Sequence, residues 1–432
     1  MNSQDVRAKH KKHLFPSVAN YYKEPVVLSE GKGTRLKDLD GNEYLDFFGG
    51  ILTVSVGHSN AEVNAAIIEQ LGRLQHVSTL YPTVPIVELA EKLANLTPGK
   101  LEKCFFVASG TEADETAVML AQVSTGNTEL VALRHGYSGR SMLAQSLTAH
   151  SSYRAVPSQV AAIKHAMAPY CYRCPWKQDP KSCGTICADD VTDVIRTTTT
   201  GRIAGMLAEP ILGVGGFITP PKDYYAKVAE VVRKHGGVFI SDEVQTGFGR
   251  TGKMWGIEQY DVEPDIMTMA KGIANGLPLG AVVTTAPIAD SLAKGSISTF
   301  GGNPISSTAS LKTLEIIERD KLVDNARRMG EVLRAGLEKI QASHPKTIGD
   351  VRGMGLMQAL ELVADETVKD RTPNTAATAD LFEETKKRGL LIGKGGLFGN
   401  TIRIAPALNV TEAEINEGLK IIAESFKAMG VG

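Results

Sequence analysis

Apolar positions recur along this chain at two different periods, and the switches between them mark out the elements. Residues 37–48 (KDLDGNEYLDFF) alternate around Asp40-Gly41, which predicts two short strands joined by a tight turn. From Ala61 the positions Val63, Ala66, Ile67, Leu71 and Leu74 fall at helical spacing behind a cap at Ser59 or Asn60. A second helix is expected from about Pro85 to the Pro98-Gly99 break. The stretches CFFVAS, ELVALR, AGMLAEP, GVFISDE, DIMTMAK and AVVTT are then apolar on both faces. Helical segments separate them, one carrying Ala113, Ala117, Leu120 and Ala121 on one side, another running from Asp223 to Lys234. Strands buried on both faces and alternating with helices predict an α/β protein with a mostly parallel sheet covered on both sides.

After about Ser306 the pattern changes. A long helical stretch is expected to reach about Ser343, followed by shorter strands in VRGMGLMQALEL, LLIG and NTIRIAPAL. A last helix opens on Thr411 and Glu414, a Thr-x-x-Glu capping box. Residues 60–305 are expected to form a large domain, and 1–59 with 306–432 a smaller α+β domain. There are no repeats and no low-complexity tract.

Composition narrows the function classes. The chain has 432 residues, 43% hydrophobic and 22% charged, with a formal net charge of −1. That balance does not point to nucleic acid or an anionic membrane as a partner. No apolar run approaches the roughly 18–20 residues of a membrane span. The start, MNSQDVRAKHKKHLF, is basic without the apolar core of a secretory signal, so a cytosolic arm is expected. Five cysteines in a chain of this length make no disulfide framework, which fits a reducing, cytoplasmic setting.

The chemistry concentrates at strand ends, where ligands of open α/β sheets bind. FISDEVQTGFGRTG places Asp242 and Glu243 at one such end; Asp242 there is equally a ligand group or a solvated charge. Lys271 ends the next strand among Ala270, Gly272 and Ile273, where desolvation lowers an amine's pKa and frees it for Schiff-base chemistry. A carboxylate for a protonated pyridine nitrogen and a lysine for an imine are the pair that pyridoxal phosphate needs. Ser109-Gly110-Thr111 opens a helix after CFFVA and suits a phosphate, although read alone it is more often a plain cap. The glycine-rich loop from Ser298 through Thr299 to Pro304 is a second phosphate candidate or simply a turn. Read alone, Arg403 and Glu209 suggest a buried structural ion pair and Tyr137 core packing.

SGTEA, AEPI, ISDEVQTGFGRTG, MAKG, STFGGNP and IRIAP occur here in the order seen in the class III, fold-type-I aminotransferases, and together they span residues 109–405. The chain resembles that family. VSVGH, QLGRLQHVSTLYP and PYCYRCPW make it most similar to the alanine–glyoxylate branch. The resemblance implies a dimeric fold-type-I enzyme that uses pyridoxal phosphate. It further implies that Lys271 forms the imine and shuttles the proton, and that Asp242 holds the pyridine nitrogen protonated. Gln245 is implied near the phenolic oxygen, Val244 and Tyr137 on the two ring faces, and Gly110 and Thr111 on the phosphate. Thr299 is implied to reach the neighbouring subunit's phosphate, Arg403 to grip the substrate α-carboxylate, and Glu209 to mask Arg403 when that carboxylate is absent. Ile51 and Tyr21 or Tyr22 are expected to shape the donor pocket. Two positions depart from the family pattern: Ser138 stands where histidine or tryptophan is common, and Asp114 where asparagine is.

The implied reaction moves an amino group from alanine, or a β- or ω-amino acid or amine, to glyoxylate or pyruvate. The alternatives are a 4-aminobutyrate- or ornithine-type transaminase using 2-oxoglutarate, an aminomutase, and a non-enzymatic cofactor-binding regulator. Cys171, Cys174, Cys183 and Cys187 lie within a Pro- and Gly-rich segment expected to be a loop. Their spacing is irregular for zinc and is open to metal, a labile disulfide or free thiols, with no metal role assigned. Cys104 is expected in the core.

Overall fold

The computed structural model describes residues 1–18 and 20–430. The predicted hairpin forms: β2 (Arg35–Asp38) and β3 (Glu43–Asp46) pair antiparallel, with β1 (Leu28–Lys32) outside β2. Asp38 holds the turn by accepting from the Asp40 and Asn42 N–H groups, and Gly41 takes the left-handed φ of +88° that the turn requires.

The large sheet contains β4 (Lys103–Val107), β5 (Leu130–Leu133), β6 (Ile163–Ala166), β7 (Gly205–Ala208), β8 (Val238–Asp242), β9 (Ile266–Met269) and β10 (Gly280–Thr284). Their order is β4-β10-β9-β8-β7-β5-β6. β5, β7 and β9 are buried at every residue, as their unbroken apolar sequences require. The sheet is parallel except that β10 runs antiparallel to both β4 and β9. β6, whose sequence IKHA carries two polar residues at the sheet edge, is a strand that apolar patterning passes over.

The C-terminal third holds β11 (Ile348–Met354), β12 (Met357–Asp365), β13 (Asp370–Pro373), β14 (Leu390–Leu391), β15 (Gly393–Gly395) and β16 (Thr401–Ile404). The stretch expected as one strand in VRGMGLMQALEL is a hairpin, β11 to β12, turning at Gly355 with φ +53°. β14 pairs in parallel with β3, which fastens the N-terminal hairpin to the C-terminal chain. The long helix expected to Ser343 is two helices, Pro304–Arg319 and Leu322–Ser343, broken where Lys321 adopts φ +52°. The expected helix from Ala61 ends at Leu71, so Leu74 lies outside it, and its cap is Asn60, which accepts from the Glu62 and Val63 N–H groups. The predicted capping box at Thr411 and Glu414 is present. Among the described residues no helix is long and apolar enough to cross a membrane.

Candidate active site

β8 and β9 are adjacent, parallel and apolar, so they bury their length and expose chemistry only where they end. β8 ends on Asp242; β9 leads through Ala270 to Lys271, which opens a short 3-10 turn, Lys271–Ala274. Lys271 has φ +47°, a left-handed conformation that costs an ordinary side chain about 1 kcal/mol and is held here by the turn. Between the two strand ends and the helix Gly110–Thr125 lies a cavity of about 340 Å³ that Asp242, Val244, Gln245, Lys271, Tyr137 and Glu209 all line.

The mouth of that cavity is an anion seat. Ser109 caps the helix by accepting from Glu112 N–H, leaving the N–H groups of Gly110 and Thr111 at the open helix end, where the dipole favours negative charge. A Cβ on Gly110 would lie 3.2 Å from a Val244 methyl, so glycine is what lets the helix end approach the cavity floor. At Gly139, which has φ +129°, a Cβ would fall 2.1 Å from the Thr111 hydroxyl oxygen. A side chain at either glycine would fill the cradle.

Electrostatically the pocket is a cluster of buried carboxyls around one amine. Burial pushes Asp242 up to about 6, while the Val244 N–H at 3.0 Å and the Lys271 charge favour its ionised form. Burial, then repulsion from Asp242, pushes Glu209 up to about 8; the N–H groups of Gly213 (2.7 Å) and Tyr137 (3.0 Å) pull the other way. Burial lowers the Lys271 amine below the usual lysine range, opposed by Asp242 and Glu209. A basic amine thus stays poised to lose its proton beside a carboxylate. Gln245 is buried and lines the cavity, with its Oε1 unpartnered. An anion seat, a carboxylate for a ring nitrogen, an amine for an imine and a cavity-lining amide together fit pyridoxal phosphate.

Arg403, on β16, is 1% exposed. Its Nε donates to Lys394 O (2.9 Å) and its Nη1 to Gly213 O (3.3 Å), with the guanidinium 4.8 Å from the Phe48 ring centre and 5.5 Å from Phe217. Among the described residues no carboxylate pairs with it. The structural ion pair with Glu209 is not formed; the two meet through Gly213, whose N–H serves Glu209 and whose carbonyl serves Arg403.

Other expected residues fall elsewhere. Thr299 lies on an exposed loop outside the cavity. Ile51 is 42% exposed with φ +66° and does not line the cavity, whereas Thr53 does. Tyr22 packs on Phe382 and under Lys386, away from the cavity; Tyr21 is closer to the chemistry, its ring 6.0 Å from the Phe48 that carries Arg403. Patterning missed Tyr153, which meets Tyr137 edge-on at 5.3 Å, because one aromatic in a polar stretch has no period. Cys171, Cys174, Cys183 and Cys187 border one small cavity. Cys187 sits on the helix Ile186–Thr198 rather than in a loop, and all five thiols are free. Among the described residues no three His, Cys, Asp or Glu side chains converge to hold a metal ion.

Residues 17–426 match the family Aminotransferase class-III. Alanine–glyoxylate aminotransferase 2 homolog 2, mitochondrial, of Arabidopsis thaliana is 44% identical, covering 94% of this chain and 84% of that one. The human alanine–glyoxylate aminotransferase 2, mitochondrial, is 39% identical, covering 96% and 85%. A PLP-bound amine transaminase from an uncultivated Pseudomonas species superposes with a TM-score of 0.89 at 32% identity, over 97% of this chain and 98% of that one.

Proposed function

Since the chain belongs to the class III aminotransferases, we propose that it moves an amino group from alanine, a β- or ω-amino acid or a simple amine to glyoxylate or pyruvate. The observation that carries this reading is the convergence of Lys271, Asp242 and the open helix end on one cavity, with an uncompensated arginine nearby. Pyridoxal phosphate, the family's cofactor, supplies the electron sink that makes the donor's α-proton acidic.

Every other task falls to the chain. Gly110 and Thr111 would bind the phosphate, Asp242 would keep the ring nitrogen protonated, Val244 and Tyr137 would pack on the ring, and the Gln245 amide would serve the phenolic oxygen. Lys271 would take the α-proton from the amino donor on its amine and pass it to the cofactor carbon that had carried the imine, which a buried amine of lowered pKa does near neutrality. Arg403 holds the carboxylate of the 2-oxo acid between Phe48 and Phe217, a dry setting that strengthens the pair. Glu209, tethered to the same Gly213, gives up its proton and supplies the compensating charge when a donor without that carboxylate is bound.

The enzyme works as a homodimer or dimer of dimers, with Thr299 completing the neighbour's phosphate site. Its exposure outside its own cavity supports this, as does the exposed apolar surface of Ile68, Leu71, Leu80, Tyr81, Ile297 and Phe300. Five free thiols support a cytoplasmic location. The test is a matrix of amino donors against glyoxylate, pyruvate and 2-oxoglutarate. Glyoxylate or pyruvate should be the better acceptors; a preference for 2-oxoglutarate, or turnover with no acceptor, contradicts the reading.

A further inference from the structure

In the cavity wall two carboxyl groups face one another. Asp114, on the second turn of the helix Gly110–Thr125, is 1% exposed; it accepts from the Thr268 hydroxyl, Thr268 pairs in register with Asp242, itself 3% exposed, and both carboxyls line the same cavity. Two buried carboxylates facing one another without a cation between them repel, so one of the pair is a carboxylic acid. The surroundings say which. Asp242 accepts from the Val244 N–H at 3.0 Å and faces the Lys271 amine, and both favour its anion. Asp114 accepts one hydrogen bond, from the Thr268 hydroxyl at 2.7 Å, and the Asp242 and Glu209 carboxyls oppose its ionisation more than the Lys271 charge favours it. Burial and the charge of Asp242 hold Asp114 well above the usual carboxylate range. The placement is built into the sheet. Thr268 pairs in register with Asp242, so both side chains leave the same face, and the helix sets Asp114 over the two.

We propose that Asp114 is a neutral carboxyl that donates its hydrogen bond to Asp242, fixing that carboxylate's orientation and keeping it ionised. One of its oxygens accepts from Thr268 and its acid proton is directed at Asp242, so it is a positioning residue that acts through Asp242. The catalytic consequence rests on the role given to Asp242 above; the protonation itself does not.

Infrared difference spectra of the cofactor-free protein, in H2O and D2O at neutral pH, separate the two. Wild type should show a deuterium-sensitive protonated-carboxyl band that Asp114→Asn lacks, with unchanged secondary structure. In the loaded enzyme Asp114→Asn should keep kcat within about threefold, because the amide N–H donates in place of the acid. Asp114→Leu, with no donor, should lose kcat at least about tenfold and move the acid limb of the pH profile up by roughly one pH unit, the worth of one charge-assisted hydrogen bond. If Asp114→Leu does not fold, Asp114→Ala takes its place. Spectra that are identical in wild type and Asp114→Asn overturn the proposal, because Asp114 is then ionised. A loss in Asp114→Asn as deep as in Asp114→Leu overturns the positioning role. If wild type shows no transamination, the infrared result still decides the state of Asp114.

Discussion

Arg403→Ala tests how one site serves two chemically different substrates. The guanidinium is buried between two aromatic rings, donates to two backbone carbonyls and has no carboxylate partner. A carboxylate entering this setting forms two charge-assisted hydrogen bonds, together about 3–4 kcal/mol. Removing the guanidinium should therefore raise KM for pyruvate or glyoxylate roughly 100- to 1000-fold. KM for a donor without an α-carboxylate, such as a simple amine, should move by no more than about threefold. Loss of the ring contacts should cost about 1–2 kcal/mol of stability, which a thermal melt reads separately. Glu209→Ala should do the reverse, weakening the amine donor while sparing the oxo acid, because the guanidinium then lacks its compensating charge. Steady-state kinetics of both half-reactions give the four KM values. If both variants impair both substrate classes equally, the two residues are structural and the reasoning fails.

Glu209 also sets a pH dependence. Its folded pKa of about 8 lies above the ordinary 4.5, so the folded chain holds a proton that the unfolded chain has released between those values. Stability of the cofactor-free protein should fall as pH rises from about 5 to 8, with at most about 5 kcal/mol from this group. Glu209→Gln should make that fall in Tm shallower, and an unchanged slope would count against the buried neutral acid. Asp242→Asn should lower kcat at least about 100-fold while the protein still loads cofactor, with a larger isotope effect on the α-proton; near-normal turnover of a loaded variant ends that role. Sedimentation under assay conditions should show a dimer or larger, and Thr299→Ala should loosen cofactor retention; a fully active monomer refutes the shared site.

The strands around the cavity were legible because burial on both faces leaves unbroken apolar stretches. Lys271 stood out because a lysine among apolar and glycine neighbours at a strand end makes a poor surface charge, and Asp242, ambiguous alone, gained its meaning from the strand end beside it. Strand direction was not legible: β10 has the same all-apolar pattern as its neighbours, and its antiparallel setting depends on the path of the connection from β9. The break at Lys321 was missed because it divides two amphipathic helices without a glycine or proline. The environment of Arg403 draws on Phe48, Phe217 and Lys394, from three distant parts of the chain, so no local pattern contains it. Asp114 could be noticed as an unusual residue, but its meaning required Thr268 and Asp242 beside it.

The central claim is that Lys271 carries the cofactor and moves the proton. Borohydride reduction of the loaded enzyme followed by peptide mapping tests it most directly, with Lys271→Ala as the control. The label should appear on the peptide containing Lys271 and nowhere else, and Lys271→Ala should fold, take no label and show no transamination. A label on any other lysine, or a Lys271→Ala protein that still transaminates, would contradict the account.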